Sequence, residues 1–357
     1  MKIAIGYKLI SSSWGGGNQF ATSLVSKARE KGYEMTFSLQ DKNIDIILLT
    51  DPRTYTSSVS FGAFEIIWYL LFKNKRALVV HRINECDERK NTYHVNKLLK
   101  WSNYCADYTV FISNWLKELD IYEDRKDSKV ILNGGDPKVF KDYGYPQWDG
   151  ISPLKIVTHH WSSNYMKGFA VYKELDNLLM KPEWSDKIEF TYIGNLPEGF
   201  TFKKSKHVPP INGKKLGDEL SKHHLYISAS INEPAGMHHI EGILCGLPIV
   251  YRNSGALPEY CNGYGVSFFN ENFLPALKKI MNNYNFYKNN VSKYPNTADQ
   301  MTKKYLDLFS LLLRKRNEII KERNLLRSPL IIIKNFLIFL IKSRDVVKLG
   351  KKIFKAS

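Results

Sequence analysis

The chain has 357 residues, enough for two domains of ordinary size, each with its own core. Hydrophobic residues make up 43% and charged residues 24%, which excludes a disordered chain. The four cysteines (Cys86, Cys105, Cys245, Cys261) show no paired spacing, so they read as reduced thiols rather than a disulfide framework. The formal charge of +17 favours anionic partners such as nucleotides, lipid headgroups or nucleic acid.

The N-terminus, Met1-Lys2-Ile3-Ala4-Ile5-Gly6, has too short an apolar run for a signal peptide and reads as a first strand. Short β-branched or aromatic runs followed by turn or helix signals continue at Met35–Leu39, Ile44–Thr50, Ala77–His81, Tyr108–Ile112 and Lys129–Leu132. The stretch Tyr143–Pro153, rich in Pro, Gly and aromatics, reads as an interdomain linker. Beyond it the rhythm resumes at Leu154–Thr158, Glu189–Ile193, Leu225–Ser228, Pro248–Tyr251 and Val266–Phe269. Alternation of strands and helices on this scale predicts two mainly parallel sheets, each flanked by helices. Two such sheets facing each other make a cleft at the carboxyl ends of their strands, where ligands bind.

Several chemistry-bearing residues follow strands. Trp14-Gly15-Gly16-Gly17-Asn18-Gln19-Phe20 precedes a helical pattern over Phe20–Lys31, and its glycines let the backbone approach an anion. It is neither a G-x-G-x-x-G fingerprint nor a P-loop. His81 ends the expected strand Ala77–His81 and is a candidate orienting group or proton shuttle. Lys167-Gly168 opens a helical pattern after the first strand of the second half, where a cation can neutralise a departing diphosphate. The bland alternative for Lys167 is a solvated surface lysine. Three His-His pairs (159/160, 223/224, 238/239) lack metal-site spacing, so no metal and no other cofactor is expected. Arg252–Tyr260 holds a Ser-Gly-Ala turn that can offer backbone donors.

The densest signal is Asn232-Glu233-Pro234-Ala235-Gly236-Met237-His238-His239-Ile240-Glu241, where two carboxylates stand eight positions apart with a turn after the first. The turn's amides suit an anion, and an acid two helical turns on can reach a polyol such as ribose.

At the far end, 13 Lys and Arg stand against 3 Asp and Glu between Arg314 and Ser357. Pro329–Ile341 is apolar apart from Lys334 and Asn335. This run falls short of the ~20 residues that span a bilayer as a helix. It is a candidate for lying on an anionic leaflet, the alternative being a basic tail packed on the protein.

Together these pieces resemble the retaining family 4 glycosyltransferases of the GT-B fold. Glu233 to Glu241 resembles the family's E-x7-E motif, and Gly246–Val250, Gly255–Glu259, Ile112–Lys117 and Val130–Asp136 follow the family's order and spacing. The resemblance covers about residues 1–310 and is strongest from Tyr226 to Tyr260. It implies two Rossmann-like domains facing an interdomain cleft: an acceptor-side domain over 1–145 and a nucleotide-sugar domain over 146–294. A helix over 295–313 would return to the first, and a basic tail would follow over 314–357.

The same resemblance implies transfer of a sugar from a nucleotide-sugar donor to an acceptor hydroxyl with retention of configuration, in cell-surface polysaccharide or glycolipid synthesis. The acceptor would be a glycan or lipid-linked, and the protein cytoplasmic and peripheral on the inner membrane face, touching anionic lipid through residues 328–357. Nucleic acid is not an expected partner, since no reader motif is present. The implied catalytic residues are Glu233, Lys167 and His81. The implied donor-binding residues are Gly15, Gly16, Gly17, Gly236, Met237, Glu241, Ser254 and Gly255. One departure stands out. The family carries Gly-Arg shortly before Lys-Gly, whereas here the stretch reads His159-His160-Trp161-Ser162-Ser163-Asn164. The second cation is absent or comes from elsewhere, with Arg252 as one candidate. The alternative is a non-catalytic sugar-nucleotide or glycan-binding protein on the same scaffold.

Overall fold

A computed structural model describes residues 1–10, 15–123 and 127–341. Trp14 and residues 342–357 of the basic tail lie outside the described residues. The chain divides into two compact units. Among the described residues, unit 1 comprises Met1–Asp87, Asn91–Ile131 and the chain from Thr302 to Ile341; unit 2 comprises Glu88–Lys90 and Leu132–Met301.

Unit 1 is built on β1 (Lys2–Ile5), β2 (Glu34–Thr36), β3 (Ile46–Leu49), β4 (Leu78–Ile83), β5 (Tyr108–Phe111) and β6 (Ser128–Val130). They form one six-stranded parallel sheet in the order β2-β1-β3-β4-β5-β6. Helices α1 (Gly16–Glu30), α2 (Ala63–Phe72), α3 (Val95–Asn103) and α4 (Asn114–Lys117) fill the connections. The inner strands β3 and β4 are buried at every position, as parallel strands covered on both faces must be. Ile47, Leu49 and Val79 pack against Ile66, Ile67 and Leu70 of α2 in the core.

Unit 2 repeats the plan with β7 (Leu154–His160), α5 (Phe169–Leu178), α6 (Pro182–Ser185), β8 (Ile188–Gly194), β9 (Lys206–Val208), α7 (Gly213–Ser221), β10 (Leu225–Ser228), α8 (His238–Leu244), β11 (Ile249–Arg252), α9 (Leu257–Cys261), β12 (Gly265–Phe268), α10 (Leu274–Asn282) and α11 (Tyr284–Val291). Its sheet order is β12-β11-β10-β7-β8-β9, again all parallel. Its core gathers Phe169, Tyr172 and Leu175 of α5 with Phe190, Ile227 and Val250 of the sheet. All four cysteines are buried and free.

After unit 2 come α12 (Ala298–Arg314), α13 (Arg316–Glu322) and α14 (Pro329–Leu340). From Thr302 onward this segment clusters with unit 1. It is tied there by ion pairs from Arg323 to Asp107 and Arg327 to Glu123.

Three details differ from the sequence reading. Strand β9 was not anticipated, being three residues long at the sheet edge and followed directly by Pro209-Pro210. Helix α1 begins at Gly16 rather than Phe20, because the Asn18 side chain closes a two-way hydrogen bond with the Ile10 backbone that fixes the first turn. Residues 143–153 carry neither helix nor strand. The chain passes between units at Ile131/Leu132 instead, because Gly135 bridges to Thr297 and the Asn133 amide donates to the Tyr260 hydroxyl inside unit 2.

Candidate functional site

The chemistry-bearing residues of unit 2 converge on one pair of strands. In the order β12-β11-β10-β7-β8-β9, strands β7 and β10 are neighbours whose following connections depart to opposite sides. Such a reversal leaves a crevice beyond the carboxyl ends of the two strands, where open α/β sheets bind ligands. The loop after β7 delivers Lys167 and the loop after β10 delivers Glu233.

Lys167 ends a single 3-10 turn, Tyr165–Lys167, and Gly168 follows at φ 95°. A Cβ on Gly168 would come within 2.4 Å of the Ala229 carbonyl oxygen, so this position needs glycine twice over, for backbone angle and for space. The Ile231 amide donates to the Met166 carbonyl at 2.8 Å and ties the two loops together. Lys167 is only 9% exposed, and its ammonium donates to Glu233 Oε2. The expectation of a possible surface lysine is thereby excluded.

Glu233 is 1% exposed. Arg89, also in unit 2, places Nε 3.5 Å from Glu233 Oε1. Burial alone would raise this carboxyl, but Lys167 and then Arg89 outweigh it and hold the group at about 2. Glu233 is therefore a carboxylate at neutral pH.

The loop after β11 clamps the Glu233 backbone. Asn232 adopts φ 50°, its amide donates to Ser254 Oγ at 2.9 Å, and the Ala256 amide donates to the Glu233 carbonyl at 2.8 Å. Gly255 sits between them at φ 59°, and a Cβ there would lie 2.5 Å from the Glu233 amide nitrogen. Gly236 turns the chain at φ 61°, and Met237 leads into α8, its carbonyl accepting from the Glu241 amide.

Glu241 lies in α8, 3% exposed, with Oε2 2.7 Å from His159 Nε2. The His159 ring is in turn contacted at Nδ1 by the Tyr226 hydroxyl at 3.1 Å. His160 points the other way along β7 and meets the Tyr172 hydroxyl at 2.7 Å, as alternation along a strand requires. His238 bonds Ser228 Oγ at 2.8 Å. His239 lies edge-on to Tyr260, and neither of its ring nitrogens finds a hydrogen-bond partner among the described residues. Burial pushes His160 and His238 well below the ordinary range and His239 down to about 3. These three imidazoles are therefore neutral at neutral pH.

Arg252, the last residue of β11, is 8% exposed. Its Nε donates to the Ala229 carbonyl at 3.0 Å, and Nη2 has no hydrogen-bond partner among the described residues. No carboxylate forms an ion pair with it among those residues. Ala229 is also the residue against which Gly168 packs, so Lys167-Gly168 and Arg252 share one backbone support.

The remaining sequence candidates lie in unit 1 and are not among these contacts. The sheet ladder runs on from His81 through Ile83, which pairs with Phe111. His81 is consequently inside β4 and fully buried rather than at a strand end, its Nδ1 3.1 Å from Asn103 Nδ2. Gly15 caps α1, while Gly16 and Gly17 form its first turn. Sequence reading missed His159, Tyr226 and Arg89. His159 belongs to a His-His pair whose alternating directions were legible, but its partner Glu241 is 82 residues away.

Among the described residues, no group of three or more His, Cys, Asp or Glu is placed to hold a metal ion. No family model and no curated protein matches the chain. Solved structures do. HepE from Anabaena, in complex with UDP-glucose, is 12% identical, with 87% of this chain and 100% of that chain covered at a TM-score of 0.61. Sucrose-phosphate synthase from Thermosynechococcus elongatus is 13% identical, with 86% and 82% covered and a TM-score of 0.56. The catalytic domain of starch synthase IV from Arabidopsis thaliana, bound to ADP and acarbose, is 11% identical, with 88% and 99% covered and a TM-score of 0.60. Two parallel six-stranded sheets flanked by helices, together with this likeness over most of the chain, give the protein the two-domain α/β fold of GT-B glycosyltransferases.

Proposed function

We propose that the protein is a glycosyltransferase that moves a sugar from a nucleotide-sugar donor to an acceptor hydroxyl, with retention of configuration. The observation that carries this reading is the buried Lys167–Glu233 pair at the β7/β10 switch point, with Glu241 in the first turn of α8. The ligands of the structural neighbours, UDP-glucose and UDP for HepE and ADP for starch synthase IV, support a nucleotide-sugar donor.

In this reading Glu241 binds the ribose hydroxyls and Glu233 meets hydroxyls of the donor sugar. The Gly236-Met237 and Ser254-Gly255 backbones line the donor. The bond between the anomeric carbon and the diphosphate breaks, and the electron pair leaves with the phosphate oxygen. Lys167 stabilises the charge that develops there, with Arg252 supplying the second cation. The acceptor hydroxyl gives its proton to the leaving phosphate oxygen as it attacks the same face. Charge placement, rather than a strong protein base, lowers the barrier. No metal or other cofactor takes part.

The acceptor is a glycan or a lipid-linked glycan of cell-surface polysaccharide or glycolipid synthesis. The protein works peripherally on the cytoplasmic face of a membrane, residues 328–357 meeting anionic lipid. Among the described residues no helix is long and apolar enough to cross a membrane.

The test is incubation with a panel of nucleotide sugars and extracted membrane lipids. Transfer of sugar to a lipid or glycan acceptor, slowed by Lys167→Ala, supports the proposal. Nucleotide-sugar binding with neither transfer nor donor hydrolysis would replace it with a non-catalytic binding protein.

A further inference from the structure

The sequence assigns membrane contact to the basic tail alone. The structure places a second apolar element beside it. Helix α14 buries Asn335 and Ile338 toward unit 1, with Asn335 Nδ2 donating to the Trp101 carbonyl and the Ile338 carbonyl accepting from Thr54 Oγ1. Its other face carries Leu330, Ile333, Leu337 and Leu340, spaced by three or four residues and each about half exposed. That spacing is one stripe of a helix.

Helix α2 lies against α14 and shows the same division. Ile66, Ile67 and Leu70 enter the core, while Trp68 and Phe72, tilted against each other with ring centroids 4.3 Å apart, are 52% and 66% exposed. The two helices join through Phe64, whose ring packs on both Phe336 and Phe339. A groove of about 560 Å³ opens along this seam, walled by Leu39, Phe61, Phe64, Trp68, Phe336 and Phe339. Trp68 and Phe336 belong both to the groove and to the exposed surface, so the two are continuous.

The exposed charges that flank these two helices in sequence are mostly basic. Exposed Lys73, Lys75 and Arg76 follow α2 directly. α14 contains Lys334 and no acid, and the sequence after it, residues 342–357, holds six Lys and Arg against one Asp. The acid of α2, Glu65, is engaged by the Gly62 amide. An apolar face flanked by cations suits an interfacial helix on an anionic bilayer. At 12 residues, α14 is about 18 Å long against a hydrocarbon core of ~30 Å, so it lies along the surface rather than across it.

We propose that α2 and α14 together form a monotopic membrane-docking face for an anionic phospholipid bilayer, with Trp68 and Phe72 inserted and an acyl chain seated in the groove. This deepens the membrane placement given above and adds to it a contact the tail alone does not supply.

The test uses the full chain and sedimentation with vesicles of phosphatidylcholine containing about a third phosphatidylglycerol. Trp68→Ser/Phe72→Ser is expected to weaken vesicle binding about tenfold or more at unchanged nucleotide affinity in solution. Deleting residues 342–357 should weaken binding and flatten its salt dependence. Brominated acyl chains should quench tryptophan emission in the wild type, and the quenched fraction should fall in Trp68→Phe, which keeps the face apolar. Wild-type vesicle affinity in Trp68→Ser/Phe72→Ser would overturn the proposal and leave the tail as the anchor. No vesicle binding by the unaltered chain would overturn both membrane readings while leaving the donor site untouched. So would a concentration-dependent dimer that the double substitution dissolves without any vesicle binding.

Discussion

Lys167 and Glu233 come from different loops, 66 positions apart, and meet in an ion pair that water scarcely reaches. Each loop is held by a feature of the other: Gly168 lies against Ala229, and the Ile231 amide bonds the Met166 carbonyl. The pair therefore belongs to the fold as much as to any chemistry it performs.

Removing one partner should be costly. Lys167→Met leaves a buried carboxylate with Arg89 alone, and a loss of about 3–5 kcal/mol is expected. Glu233→Gln/Lys167→Met should regain much of that loss, because no uncompensated charge stays behind. Urea unfolding of the two single variants and the double variant measures the coupling. Additive losses would show that the two side chains act independently.

Glu241→Gln should weaken binding of the preferred nucleoside diphosphate by about tenfold to a hundredfold, the range for losing a charged hydrogen-bond acceptor. His159→Phe should produce part of the same loss, since the imidazole only orients the carboxylate. Titration calorimetry checks both. Equal affinity in all three proteins would remove Glu241 from the donor site.

Gly255→Ala places a Cβ 2.5 Å from the Glu233 amide nitrogen on a left-handed backbone. A cost of about 2–3 kcal/mol and at least a tenfold fall in turnover are expected. Gly263 is a matched control, at φ 88° with open space around it. Gly263→Ala should cost about 1–2 kcal/mol from backbone angle alone and leave turnover unchanged.

Arg252→Met should touch both stability and function. Loss of the hydrogen bond to the buried Ala229 carbonyl should cost about 1–3 kcal/mol, while kcat/KM falls about a hundredfold. Arg252→Lys should recover part of that rate. Unchanged kcat/KM in Arg252→Met would leave Lys167 as the lone cation.

Stability should fall as the solution is acidified from neutrality. Burial lowers the His239 pKa from an ordinary 6.5 to about 3. Between those values the unfolded chain binds a proton that the folded chain refuses, so stability is lost as pH falls, by about 1.4 kcal/mol per pH unit for one such group. His160 and His238 are shifted the same way. Glu233, lowered from 4.5 to about 2, adds its own loss below pH 4.5. His239→Leu should flatten the upper part of the curve by about one proton, measured by urea unfolding from pH 4 to 7.

The strands were legible because β3, β4, β7 and β10 are short apolar runs bounded by turn residues, which is a local signal. β9 escaped because three residues, Lys206-His207-Val208, carry no period. The resemblance assigned Glu233 and Lys167 to one site, but neither their ion pair nor the burial of Lys167 was readable, since burial of a lysine is decided by what folds over it. The same holds for His159 and Arg89, whose partners lie 82 and 144 positions away. His81 was placed at a strand end by its neighbours in sequence, whereas the ladder between β4 and β5 runs on through Ile83.

The resting ion pair also sets a condition on what the site accepts. Lys167 is already neutralised, so an incoming anion must compete with Glu233 for it and leave that carboxylate buried beside Arg89 alone. A bare phosphate offers nothing in exchange. A molecule carrying both a diphosphate and a sugar offers an anion to the lysine and hydroxyl donors to the acid it displaces. The ion pair would then act as a two-key lock, rejecting fragments that present one half of the donor and opening to the molecule that presents both.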